Sequence, residues 1–136
     1  MSTLGPALVS ILRQGPYLIA SIHTALDDTE MVRFQEDLVD RIGKDRCTGV
    51  IIDVAALDVL DSFGSSTLRR IAEMARLRGA VTIIVGIQPE VAFAMVELGM
   101  SDVFVHTALD LEEGLEFLHE IHNSEHMPLL PSQAVR

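Results

Sequence analysis

The chain has 136 residues, 49% of them apolar, and its 10 basic and 20 acidic side chains leave a formal charge of −10 with histidine neutral. That length and apolar content allow one compact domain with a genuine core; nucleic acid is excluded as a partner, because phosphate binding needs Lys and Arg and base stacking needs aromatics, here 4% with no Trp. A single cysteine, Cys47, precludes an internal disulfide, and with no signal-like N-terminus and no long apolar run the expectation is a soluble, cytoplasmic protein with no membrane segment.

Taken in chain order, Ala7–Leu12 and Tyr17–Ile22 are short β-prone runs joined through Gly15-Pro16, which predicts a hairpin. Asp27 and Asp28 precede Met31, Phe34, Leu38 and Ile42 at a spacing near 3.6, so an amphipathic helix should follow and end near Gly43. Helix capping is the expected role of Asp28, while Asp27 reads either as a cap or as a partner contact. Val50–Val54 is an apolar run of strand length, as in a strand buried on both faces. A second helix is predicted from Ser62 to about Arg78, with Leu68, Ile71, Ala72 and Ala75 as its apolar stripe and Gly79 as its stop.

Ala80–Ile87 reads as another buried strand, and Pro89 starts a third helix through Leu98 that Gly99 closes. Val103–Val105 is a short strand, and Asp110 with Glu113 forms a capping box that opens a last helix to about His122. Pro128, Pro131 and the loss of periodicity predict one domain over residues 1–123 and a flexible C-terminal tail over 124–136. The order β-β-α-β-α-β-α-β-α makes this an α/β protein: a mixed sheet that starts with a hairpin, with about four helices packed on it.

Chemistry is expected between Val54 and the second helix, where the carboxyl end of a parallel strand meets a helix N-terminus. Asp61-Ser62-Phe63-Gly64-Ser65-Ser66-Thr67 puts four hydroxyls and one carboxylate there. Such residues cap helices, because their oxygens accept from the free N–H groups of the first turn. They also suit an acceptor serine, whose phosphate would sit at the positive end of the helix. A hydrolase elbow needs G-x-S-x-G with a histidine base, which this segment lacks, so no catalytic residue is assigned. Neither is a cofactor: no Gly-rich phosphate loop of the G-x-x-x-x-G-K-[ST] form occurs, and His119, His122 and His126 lack the further ligands a metal needs. Arg69, Arg70, Arg76 and Arg78 crowd into ten residues, as a solvated face balanced by Glu73 or as a docking stripe for an acidic partner or a neighbouring subunit. Methionines 31, 74, 95 and 100 and Cys47 read as packing residues.

Leu60-Asp61-Ser62 before a small-residue helix, then Arg78-Gly79-Ala80, Val85-Gly86-Ile87-Gln88-Pro89-Glu90 and Glu97-Leu98-Gly99, together resemble a STAS domain over roughly residues 7–122. The resemblance is to the stressosome scaffolds, which are related to anti-sigma-factor antagonists. About six residues precede the first strand, and Val85 stands where RsbR-type paralogues carry a second phosphorylatable threonine; both features favour the RsbS type. What the resemblance implies is a non-catalytic scaffold that sequesters an RsbT-like switch serine kinase and releases it when Ser62 is phosphorylated. Asp61 is then the acidic neighbour, with Asp27, Phe63, Gly64, Arg69 and Arg76 as partner-binding candidates. The implied partners are an RsbR-like STAS paralogue, that kinase and a PP2C-type phosphatase, within a homodimer and a large hetero-oligomer. Phe63 departs from the Asp-Ser-Ser-Gly pattern of simple anti-sigma-factor antagonists, which remain the alternative: one-to-one binding of an anti-sigma factor. An α/β enzyme using the same loop is the rival of a different class.

Overall fold

A computed structural model of the chain describes residues 8–99 and 105–126. Five strands, β1 (Val9–Gln14), β2 (Tyr17–Ile22), β3 (Gly49–Asp53), β4 (Val81–Val85) and β5 (His106–Ala108), form one sheet whose spatial order is the chain order. Strand β1 runs antiparallel to β2, and the remaining neighbours are parallel. The helices are α1 (Asp28–Asp45), α2 (Ser62–Leu77), α3 (Pro89–Glu97) and α4 (Leu111–His126).

This order fixes where the helices lie. Three successive crossovers each step one strand in the same direction, and right-handed connections then put α1, α2 and α3 on one face. Met31, Phe34 and Leu38 of α1, Leu68 and Ile71 of α2, and Val91 and Met95 of α3 accordingly share one core with Leu18, Val50, Ile52 and Ile84. Side chains alternate along a strand, so the intervening Tyr17, Ile19, Ile51, Ile83 and Val85 point to the other face and pack with Leu118 of α4. The central strands are therefore apolar on both faces, as their unbroken apolar runs require.

Several boundaries differ from expectation, each for a local reason. Strand β1 continues to Gln14 because the hairpin closes on a two-residue turn, with Gln14 paired to Tyr17 and Gly15 at φ 60°. Helix α1 runs past Gly43 to Asp45, and the chain turns off at Arg46, which is left-handed at φ 52°. Gly43 is thus not a stop: the Arg78 guanidinium lies across its bare Cα, where a Cβ would overlap it. Strand β4 ends at Val85 because Gly86 takes φ 77°. The last strand pairs His106, Thr107 and Ala108 with Ile83, Ile84 and Val85. The apolar run expected to form it lies upstream, with Val105 outside the strand and Val103 and Phe104 outside the described residues. An edge strand tolerates polar residues, so hydrophobicity was a poor guide there. Helix α4 continues through His126, and residues 127–136 lie outside the described residues.

Candidate functional site

Strands β2, β3 and β4 end side by side, so the connections that follow Ile22, Asp53 and Val85 gather at one edge of the sheet. Asp61 is the N-cap of α2: its backbone is extended, its Oδ1 accepts from the Gly64 N–H at 2.7 Å, and its carbonyl accepts from the Ser65 N–H at 2.9 Å. Capping is therefore what the carboxylate does, and it leaves the Ser62 hydroxyl unneeded for that role. Ser62 is the first residue of the helix and exposed.

The four hydroxyls divide sharply. Ser65 and Thr67 are buried, with Thr67 Oγ1 donating to the Phe63 carbonyl at 2.8 Å and Ser65 Oγ lacking a partner among the described residues. Ser66 is exposed, one turn after Ser62. Phe63 is half-buried against the core and Gly64 is buried, so both shape the turn from below. No acidic residue occupies the first turn of α2, which leaves the positive end of the helix dipole beside Ser62 answered only by the Asp61 cap.

Asp27, and not Asp28 as expected, caps α1. Its Oδ1 accepts from the Glu30 N–H while its own N–H donates to Glu30 Oε1, each at 2.8 Å. Asp28 is an exposed residue inside the helix. The loops leading to the two caps meet over a hollow of about 140 Å³ lined by Leu26, Met31, Leu57, Leu60, Asp61 and Gly64, with Val59 exposed at its rim. Leu26 and Asp61, the chain neighbours of Asp27 and Ser62, thus line the same hollow, and Asp27 itself is engaged by its own helix.

A brace that sequence reasoning missed holds the Ser62 loop from the side. Gln88 Nε2 donates to the Ala55 carbonyl at 2.7 Å, and the Val54 N–H donates to the Val85 carbonyl at 3.0 Å. Gly86 permits this approach, since a Cβ there would stand 2.8 Å from Ala55 Cβ and 3.1 Å from Ala55 Cα. The available signal was a glutamine at an N-cap position, just before a helix-starting proline, whose side chain makes no cap bond.

The arginines are less local. Arg69 and Arg76 are both exposed on α2, but at 1.5 Å per residue they lie roughly 10 and 20 Å along the axis from Ser62. Arg76, in the last turn, does not belong to the Ser62 surface. Cys47 is buried, and burial followed by the Asp45 carboxylate pushes its thiol pKa up, as befits a packing residue. Among the described residues no three His, Cys, Asp or Glu side chains converge to hold a metal ion, and no helix is long and apolar enough to cross a membrane.

Residues 9–114 match the STAS domain family. A serine-to-glutamate variant of RsbS from Moorella thermoacetica is 33% identical, with 85% of this chain and 97% of that one covered at a TM-score of 0.77. A chain from a structure of the stressosome, described as a signal integration and transduction hub, is 31% identical over 87% of this chain and 100% of its own length, at a TM-score of 0.69. RsbT co-antagonist protein RsbRA of Bacillus subtilis (strain 168) is 33% identical over 90 residues, 65% of this chain and 33% of that protein, so the chain spans about a third of its length.

Proposed function

The chain belongs to the STAS domain family and is related to RsbS, other stressosome proteins and anti-sigma-factor antagonists, and on that premise we propose that it is a stress-signalling scaffold switched by phosphorylation of Ser62. STAS domains of this kind are non-catalytic, so the chemistry belongs to a partner. In the proposed step, Ser62 Oγ attacks the γ-phosphorus of ATP held by an RsbT-like serine kinase. A new O–P bond forms, the bridging bond to ADP breaks, and the hydroxyl proton passes to a base on the kinase.

The observation that carries this reading is the sorting of hydroxyls in α2: Ser62 stands exposed at the first helical position, while Ser65 and Thr67 are buried. A phosphate there adds roughly −1.5 to −2 charges beside the Asp61 carboxylate and enlarges the surface that a partner must cover. The helix dipole tolerates the anion, so the fold persists while partner affinity changes. Before phosphorylation the chain holds the kinase, together with an RsbR-like paralogue in a large assembly; afterwards it lets the kinase go, and a PP2C-type phosphatase resets the site. Val85, buried in β4, offers no second hydroxyl at the position where RsbR-type relatives are expected to have one.

The test is to incubate the protein with the switch kinase and ATP, map the phosphate by mass spectrometry, and measure kinase binding before and after. Phosphate on Ser62 with at least about tenfold weaker binding is expected, a loss of roughly 1.4 kcal/mol. Phosphate on Ser66 alone, or binding indifferent to phosphorylation, overturns the assignment. Sizing the complex with the paralogue separates a large shell from the one-to-one complex of a simple antagonist.

A further inference from the structure

The hollow of about 140 Å³ between the heads of α1 and α2 adjoins Ser62 through its chain neighbour Asp61, which lines it. Its wall is aliphatic: Ile22, Leu26, Leu57 and Leu60 line it, with Ala25 and Val59 exposed at the rim. Val59 leaves 62% of its surface in water, and no described residue covers it. A cavity of roughly 150 Å³ lined by Leu, Ile and Phe admits a benzene ring, so this hollow has room for one leucine- or methionine-sized side chain. The two segments that frame it, residues 22–32 and 54–68, carry Asp27, Asp28, Glu30, Asp58 and Asp61 and no Lys or Arg.

We propose that the kinase acting on Ser62 seats one aliphatic side chain in this hollow, from a segment with basic flanking residues, and that this anchor sets which kinase the chain accepts. The inference rests on the reading of Ser62 as the acceptor and adds what holds the kinase there. Three features choose the occupant. Ser62 is exposed and follows Asp61 in the chain, so a protein that delivers a phosphoryl group to Ser62 covers the hollow as well. An aliphatic wall rewards an apolar side chain and rejects a charged one, whose lost hydration nothing in the wall replaces. The surrounding carboxylates repel an acidic segment and favour a basic one. The same geometry gives phosphorylation its effect. A dianion on Ser62 holds water at the rim, and seating an apolar side chain beside it strips that water away. Its attraction for a basic flank is exposed and screened by salt, so it does not offset the lost anchor.

Steady-state phosphorylation of the full chain by the switch kinase, with the chain varied and ATP in excess, tests the anchor. Ala25→Leu fills the hollow from its rim and should raise KM about tenfold with kcat unchanged, as expected for the loss of one buried aliphatic contact. Val59→Ser removes an apolar group from the rim and should raise KM about threefold. Ala56→Leu alters an exposed residue of the same loop that does not line the hollow, and both constants should stay at their wild-type values. Because all three positions are exposed, the variants should keep the wild-type thermal melt, which circular dichroism checks. Phosphorylation of Ser62 with an unchanged KM in Ala25→Leu, or a KM that rises equally in Ala56→Leu, overturns the anchor while leaving Ser62 as the acceptor. A wild-type chain that takes no phosphate on Ser62 overturns the reading beneath it and the anchor with it.

Discussion

Helices α1 and α2 start with the same device and end with different chemistry. Asp27 and Asp61 are both N-caps, each accepting from the N–H three residues on, from Glu30 and Gly64 respectively. In α1 the third residue answers: Glu30 reaches back to the Asp27 N–H, and with Asp28 it fills the first turn with negative charge. In α2 the third residue is glycine, nothing reaches back, and the first turn holds no acid. One helix head is closed by its own side chains, and the other is left receptive to an added anion. The sequence difference is small, Asp-Asp-Thr-Glu against Asp-Ser-Phe-Gly, yet it separates a structural start from a candidate switch.

If the α2 head lacks internal closure, its loop must be held from outside, and this gives the largest expected effect. Gly86→Ala forces a Cβ against Ala55 and a side-chain residue into φ 77°, so it should destabilise by about 1–3 kcal/mol in urea denaturation. The damage should centre on the α2 side: hydrogen exchange should speed up over residues 54–61 and remain nearly unchanged over the α1 head. Uniform exchange through both heads would break the contrast.

The caps themselves come next. Asp27→Ala removes one acceptor and leaves Glu30 reaching for a helix start that has loosened, whereas Asp61→Ala removes one acceptor only. Both should cost about 1 kcal/mol, within the range of roughly 0.5–2 kcal/mol for cap removal, with the Asp27 variant the less stable of the two. Thermal melts of the pair decide it. Equal melting temperatures would mean that the returning Glu30 bond adds nothing and that the two heads are closer in kind than their hydrogen bonds indicate.

How far these heads could be read in advance differs in an instructive way. That Asp61-Ser62 opens a helix beyond a buried strand was legible, because apolar periodicity and capping residues report local structure directly. Which aspartate caps α1 was not, since Asp27 and Asp28 are equivalent until the backbone chooses. The split of Ser62 and Ser66 from Ser65 and Thr67 was encoded in the same periodicity: Ser65 and Thr67 precede Leu68 and Ile71 of the apolar stripe by three and four residues, whereas Ser66 precedes the exposed Arg69 and Arg70 at those spacings. The Gln88 brace crosses 33 residues of sequence, and no local pattern encodes it. The β5 boundary failed for a related reason: the register of an edge strand is set by its neighbour β4, which pairs with His106–Ala108, a segment that no apolar pattern marks.

The finest distinction between the heads is electrostatic, and exchanging their first residues isolates it. Ser62 and Asp28 occupy the same position in their helices, and both are exposed. Ser62→Asp places a carboxylate at an unfilled positive end and should stabilise the protein by about 0.3–1 kcal/mol, while Asp28→Ser removes one from a filled end and should destabilise it by a similar or smaller amount. Because both groups are exposed, the two effects should shrink together as salt is raised toward 1 M. The asymmetry carries the argument: Asp28 shares its turn with Glu30 and repels it, so its removal should hurt less than the addition at Ser62 helps. If Ser62→Asp destabilises instead, the Asp61 carboxylate dominates the local field, and a phosphate on Ser62 would strain the helix as well as repel a partner. The switch would then act by loosening the α2 head itself, and not only by altering the surface that a kinase meets.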